Sequence, residues 1–363
     1  MSNRREFLKE VAGAAAGVAA GAVFTGCGLL NAQQSAKSAG APKRRQAMVG
    51  GRRVKTIDIH AHVIIPEATA LMGRKTEANN AAIMAGEMAA ERFARMDEWG
   101  TDMQALSINP TWYSVERDVV AQVIKLQNEK LAELCAKYPD RFVAYASVAL
   151  QYPDLAAEQL EEGVKKYNLR GAAIGGHVNG DELSNAKFDP FWKKAEELGV
   201  LVFMHPQGIP EMDKRLAGGG GLTNVIGNPL ETTIFLSHLI FDGTLDKFPG
   251  LKVCGAHAGG YLPSYIGRSD YGCVRFPEGC KNAKKKASEY VRQLYFDAMV
   301  FTPEGLRHLV AETGVSQLMI GTDYPFPWST TTVDHVLNTP GLSNADKIAI
   351  LGGNAARLLK ITT

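Results

Sequence analysis

The chain has 363 residues, 45% of them hydrophobic and 21% charged, with a formal net charge of +2 at pH 7. Such a chain buries a substantial core without staples, and its near-neutral charge excludes bulk nucleic-acid binding, which needs a strongly basic face. Two local basic runs, Lys43 to Arg45 with Arg52 and Arg53, and then Lys281 with Lys284, Lys285 and Lys286, read as solvated surface.

The chain opens on a charged segment, Asn3 to Lys9, in which Arg4 and Arg5 are adjacent. An Ala/Gly/Val-rich run follows from Val11 to Phe24. It is too short to span a membrane, which takes about 20 apolar residues. Arg4-Arg5 ahead of Phe7-Leu8-Lys9 resembles a twin-arginine export signal, and Phe24-Thr25-Gly26-Cys27 loosely resembles a lipoprotein box. Residues 1–27 are therefore expected to be a signal peptide for the twin-arginine machinery, directing the protein to the periplasm or cell envelope. Cys27 is a candidate for a lipid tether. Residues 28–52, rich in Ala, Ser, Gln, Gly and Lys, are expected to be a disordered linker.

From residue 53 to 363, short apolar runs alternate with longer amphipathic stretches, the pattern of βα units in an α/β fold with a parallel sheet. Strands are expected at 54–59, 103–109, 142–148, 171–176, 200–204, 251–256, 295–301 and 316–321. Several are apolar nearly throughout, as strands buried on both faces should be. Helices are expected at 116–138, 153–167, 187–198, 229–247 and 303–313. Eight strands in one run fit a (β/α)₈ barrel, with an open doubly wound sheet as the alternative. Cys135, in a helical pattern, and Cys254, in an apolar strand, read as buried thiols. Cys273 and Cys280 would close a short loop as a disulfide in an oxidising compartment, a pairing that spacing alone leaves open.

Active sites of such barrels form at the C-terminal ends of the strands, and the unusual polar residues fall there. His60 and His62 follow the first expected strand. Residues i and i+2 of an extended segment point the same way, so the two imidazoles project together. His205 follows VLVFM, His257 follows LKVCGA, and Asp323 follows SQLMIG. Singly, each has a plainer reading, the histidines as hydrogen-bonded structural residues and the aspartate as a turn residue. Together they place a metal-binding or proton-moving residue at the ends of four of the eight strands. His60, His62, His205 and Asp323 suit one divalent cation, Zn²⁺ first, with an open position for water; Mn²⁺, Fe²⁺ and Co²⁺ also fit the donors. The fourth strand ends Gly175-Gly176-His177 and offers no Lys or Glu to bridge a second ion, so one metal is expected. His177 either lines the pocket or is structural.

His60-Ala61-His62, His205-Pro206, Ala256-His257-Ala258-Gly259-Gly260 and Gly321-Thr322-Asp323-Tyr324-Pro325-Phe326-Pro327 together resemble the amidohydrolase superfamily. They look most like its branch of aminocarboxymuconate-semialdehyde decarboxylase. Met96-Asp97-Glu98-Trp99-Gly100, Gly175-Gly176-His177 and Phe248-Pro249 extend the similarity over residues 54 to 361. The resemblance implies that His60, His62, His205 and Asp323 are the metal ligands and His257 the acid/base, with Asp323 also in the catalytic set. It implies further that Arg268, eleven residues after His257, reaches the substrate carboxylate of a neighbouring subunit, hence a homodimer. His177 and Trp328 stand as further candidate substrate contacts. The family's decarboxylase has a second carboxylate-binding arginine before the Met-Asp motif. Here that stretch, Glu77 to Ala82, has none, and Arg74 and Lys75 lie nearby but out of register.

Two reactions share this ligand set: decarboxylation of an unsaturated or aromatic carboxylate, which the resemblance favours, and hydrolysis of a lactone, ester or amide. A non-catalytic metal- or ligand-binding envelope protein is the third reading, and for it an acid/base histidine is superfluous.

Overall fold

The computed structural model describes residues 44–76, 90–326, 328 and 331–362. The export signal, Cys27, the linker up to Lys43, the Glu77 to Ala82 stretch and Pro327 lie outside the described residues.

The folded chain begins earlier than residue 53. Ala47–Val49 pairs antiparallel with Arg52–Val54. Alternation places Ala47, Val49 and Val54 on the buried side, and Gly50 and Gly51, at φ +56° and +78°, make the tight turn that a two-residue hairpin needs. The polar composition of 28–52 masks this short apolar alternation.

Eight strands then form the barrel: β1 (Ile57–His62), β2 (Met103–Ser107), β3 (Phe142–Ala144), β4 (Gly171–Ile174), β5 (Leu201–Met204), β6 (Lys252–Gly255), β7 (Tyr295–Asp297) and β8 (Leu318–Met319). All strand pairs among them are parallel, in the orders β1-β2-β3 and β4-β5-β6-β7-β8. Two seams close the ring. Ala146 bridges Ala172. On the other side Ile59 N donates to Ile320 O (3.0 Å) and His62 N to Tyr324 O (2.7 Å). Closure settles the fold as a barrel rather than an open sheet.

The expected strands at 142–148 and 295–301 prove shorter because their C-terminal residues leave the ladder to build the rim. The one at 316–321 is cut at both ends, Val315–Gln317 forming a 3-10 turn. The strand expected at 54–59 runs instead from Ile57 to His62, so that His60 and His62 lie at its end rather than beyond it. Leu201 and Phe203 face the barrel interior with Ile59, Tyr145 and Cys254, whereas Val202 and Met204 face the surrounding helices. Tyr145 stacks on Phe203 (5.5 Å) and floors the rim.

The helices used below are α1 (Ala90–Trp99), α2 (Arg117–Lys137), α3 (Pro153–Lys165), α4 (Asp189–Leu198), α5 (Asn228–Phe241), α6 (Leu262–Arg275) and α7 (Pro303–Thr313). The single helix expected over 229–247 breaks after Phe241 because Gly243 turns left-handed at φ +85°. Cys254 is fully buried, Cys135 partly so, and Cys273 is joined to Cys280. Among the described residues no helix is long and apolar enough to cross a membrane.

Candidate metal centre

The register of β1 against β2 shifts between Asp58 and Ala61. Such an irregularity re-aims the side chains beyond it, and His60 here lies edge-on to Phe203 of the barrel interior (5.0 Å). The structure brings His60, His62, His205 and Asp323 together as the sequence implied. All four are buried, and one ligand atom from each lies within 4.8 Å of the others. Asp323 Oδ1 stands 3.1 Å from His60 Nε2, 2.8 Å from His62 Nε2 and 3.7 Å from His205 Nε2. No other group of this kind exists among the described residues.

The surroundings fix which nitrogen of His60 and of His62 is free. His60 donates from Nδ1 to Asp297 Oδ2 (2.8 Å). Ser107 Oγ donates to Ala61 O (3.3 Å) and therefore accepts from His62 Nδ1 (3.1 Å). Both Nε2 lone pairs then face the centre. Neither ring nitrogen of His205 has a hydrogen-bond partner, although both are buried.

Burial lowers His62 to about 4 and His205 to about 3, which keeps both rings in the neutral, electron-donating form. His60 is buried too, but Asp323 and Asp297 outweigh that penalty and raise it to about 10: a positive charge is favoured at this spot. Burial opposes ionisation of Asp323, but the positive charge favoured at the neighbouring His60 holds it well below the usual carboxylate range. Three imidazoles with free lone pairs, one ionised carboxylate and an orphaned His205 fit a divalent cation.

His257 stands just beyond this set, its ring 5.2 Å from that of His60 and its Nε2 3.7 Å from Asp323 Oδ2. His257 and Asp323 both sit in the left-handed region, at φ +54° and +58°. That conformation is costly for non-glycine residues and concentrates at functional sites.

The residues that brace the centre were not singled out from sequence. Asp297 accepts from His60 and from the backbone amides of His257 (2.9 Å), Ala258 (2.8 Å) and Met299 (3.2 Å). It thus ties a metal ligand to the His257 loop. Asp58 accepts from His60 N (3.0 Å), Gln104 Nε2 (3.0 Å) and Thr322 Oγ1 (2.6 Å), joining β1, β2 and the Asp323 loop. Arg92 of α1, fully buried, donates to Gln104 Oε1 (2.8 Å) and His62 O (2.9 Å) beneath the Tyr324 ring. The legible signal was an aspartate inside an apolar strand, in IDIH and again in YFDAM: a buried carboxylate persists only where hydrogen bonds satisfy it. Asp297→Asn is expected to weaken metal binding by about 10- to 100-fold. It sets an amide NH₂ against donors that now find an acceptor, and metal titration of the variant checks it.

The three candidate substrate contacts fall elsewhere. His177 lines a separate cavity of about 200 Å³ with Gly176 and Glu231. Trp328 is exposed and packs on Phe301 (6.4 Å). Phe326, two residues earlier, lines a cavity of about 380 Å³ beside His62, together with Arg74, Lys75 and Asn109. Arg268 is exposed on α6 and pairs with no acid among the described residues.

Fold and centre thus define a single-metal (β/α)₈ barrel enzyme. The chain belongs to the amidohydrolase family, whose model matches residues 57–361. It is 29% identical over 272 residues to 2-amino-3-carboxymuconate-6-semialdehyde decarboxylase of Dictyostelium discoideum, covering 74% of this chain and 75% of that one. It is 30% identical over 292 residues to gamma-resorcylate decarboxylase of Rhodococcus jostii (74% and 87%). Among solved structures it resembles dihydroxybenzoic acid decarboxylase from Polaromonas sp. JS666, which holds manganese and the inhibitor 2-nitroresorcinol. There the TM-score is 0.75 with 26% identity, over 85% of this chain and 97% of that one.

Proposed function

We propose that this chain is a metal-dependent carboxy-lyase that removes CO₂ from a small unsaturated or aromatic carboxylate without oxidation. The carrying observation is the pairing of a four-donor centre with His257, an imidazole 3.7 Å from a ligand carboxylate but outside the ligand set. The relatives and the solved neighbour described above, all named as decarboxylases, support the reaction type.

A divalent cation at the centre supplies positive charge that anchors an anionic substrate and offsets the charge CO₂ leaves behind. His60, His62, His205 and Asp323 would hold it. His257 delivers the proton that replaces CO₂ on carbon, so that R–CO₂⁻ and H⁺ become R–H and CO₂. Asp323 faces the ligand histidines through Oδ1 and His257 through Oδ2, and so sets the proton donor against the cation. The cavity beside His62, of about 380 Å³, takes a substrate of one ring's size, with apolar walls from Ile65, Ile108 and Phe326. Arg74 and Lys75 there offer charge to an anionic substrate, and His177 and Trp328 serve as more remote contacts.

We assign Zn²⁺ as the ion on the donor set; the manganese of the solved neighbour makes Mn²⁺ the rival. Arg268 completes the site of a second copy in a homodimer. Tyr265, Tyr271, Val274 and Phe276 are between 65% and 74% exposed along and just beyond the same helix, which supports a covered face there. Export through the twin-arginine signal to the periplasm or envelope, with a lipid on Cys27 as tether, is supported by Arg4-Arg5 and by the Cys273–Cys280 disulfide, a feature of oxidising compartments.

The test is product analysis of the metal-loaded protein on gamma-resorcylate and a panel of related carboxylates and lactones, with metal content measured in parallel. Release of CO₂ in step with substrate loss is expected. Incorporation of water oxygen into product without CO₂ would establish hydrolysis instead, and tight binding with no turnover of any panel member would make the protein a binder.

A further inference from the structure

Two of the three ligand histidines are oriented through their rings: Asp297 holds His60 and Ser107 holds His62. His205 has no such hydrogen bond, so its aim depends on its backbone and on the imidazoles of His60, His62 and His257 packed against it. That backbone is clamped immediately downstream. Gln207 N and Gly208 N both donate to Glu231 Oε2, at 2.6 and 2.5 Å.

Glu231 reaches this loop from the first turn of α5 and is 3% exposed. Its path exists because glycines follow strand β4: a Cβ on Gly176 would stand 2.5 Å from Glu231 Oε1. The turn that carries it is itself fixed. Thr233 Oγ1 donates to Pro229 O (2.8 Å) and accepts from Tyr261 N (2.7 Å), and Gly260 packs so closely that a Cβ there would meet Pro229 O at 2.0 Å. Glu231 is therefore a rigid arm joining the helix layer to the loop behind His205-Pro206.

We propose that Glu231 is a positioning residue for the metal: by holding the amides of Gln207 and Gly208 it fixes the aim of His205 and so sets the affinity and geometry of the centre. The reason is mechanical. A carboxylate oxygen accepting two adjacent amides restricts the backbone of the loop, and an imidazole held in place before binding spends less binding free energy on ordering. The same contact explains Gly176 just beyond β4, while Gly175 leaves room for the Gln207 side chain, whose Oε1 a Cβ there would meet at 2.3 Å.

The experiment uses the full chain and needs no substrate. Wild type, Glu231→Ala, Glu231→Asp and Glu231→Gln are titrated with Co²⁺ and Mn²⁺, and the visible absorption of the Co²⁺ forms is recorded. Glu231→Ala is expected to bind metal about 10- to 100-fold more weakly, the usual effect of losing a group that orients a ligand, with a shifted Co²⁺ spectrum. Glu231→Gln keeps an oxygen that can accept both amides and should restore affinity and spectrum. Glu231→Asp keeps the charge but withdraws the acceptor by one methylene, and should be impaired. It carries the test if the alanine variant fails to fold. Wild-type affinity and spectrum in Glu231→Asp, or a Gln variant impaired as strongly as the Asp variant, would overturn the proposal. Because the readout is metal binding, failure of the carboxy-lyase reading would show separately, as wild-type protein that binds metal and releases no CO₂.

Discussion

Asp323→Ala is expected to lose the metal. Its carboxylate is the only charged ligand, with Oδ1 between 2.8 and 3.7 Å from all three histidine Nε2 atoms. Without it the remaining donors are neutral imidazoles gathered around an uncompensated cation. Affinity should fall by more than the roughly 100-fold upper range seen when only a ligand's supporting partner is removed, and turnover should fall with it. The backbone complicates the alanine variant. Residue 323 sits at φ +58°, where alanine costs about 1–2 kcal/mol and asparagine is better tolerated. Asp323→Asn is therefore the paired variant, since it keeps size, backbone preference and one oxygen while removing the charge. Elemental analysis after dialysis should show the Ala form empty and the Asn form depleted. Added metal should raise the melting temperature of wild type but hardly that of Asp323→Ala, because only a species that binds gains stability from the ligand. Normal metal content in the alanine variant would remove Asp323 from the ligand set.

The elements visible in the sequence were those whose signal is local. An apolar run such as VLVFM or LKVCGA must be a buried strand, and a histidine just beyond it lies at the barrel rim. His60, His62, His205, His257 and Asp323 were found that way, and the structure brings all five within one site. What stayed hidden depends on contacts between distant segments. Glu231 reads as an ordinary acid in the first turn of a helix until Gln207 and Gly208 appear across from it. Arg92 carries no local mark of burial in the sequence, yet it is fully buried against Gln104 and His62. The hairpin at Ala47–Val49 was concealed by a polar neighbourhood, since three residues of alternation carry little signal beside a long biased segment. Trp328, just past the Gly321 to Pro327 motif, is a candidate substrate contact from sequence, whereas the wall of the cavity belongs to Phe326, two residues closer to the ligand aspartate.

His257→Asn should separate chemistry from metal binding. The ring is not one of the four donors, and its nearest approach to Asp323 is 3.7 Å. Metal content is therefore expected to stay near wild type. The fixed part of the residue is its backbone, whose N–H donates to Asp297 Oδ2 at 2.9 Å. Asparagine preserves that bond and tolerates the left-handed φ of +54° better than alanine does. The variant thus loses the imidazole and little else. A positioned acid/base contributes about 10²- to 10⁴-fold to a proton-transfer step, so kcat should fall by that factor while KM changes little, provided substrate is anchored by the cation and the cavity beside His62. Steady-state kinetics with paired metal analysis decides it. Loss of metal together with activity would mean that His257 helps hold the ion. Full activity in a metal-replete variant would mean that another group protonates the carbon from which CO₂ departs.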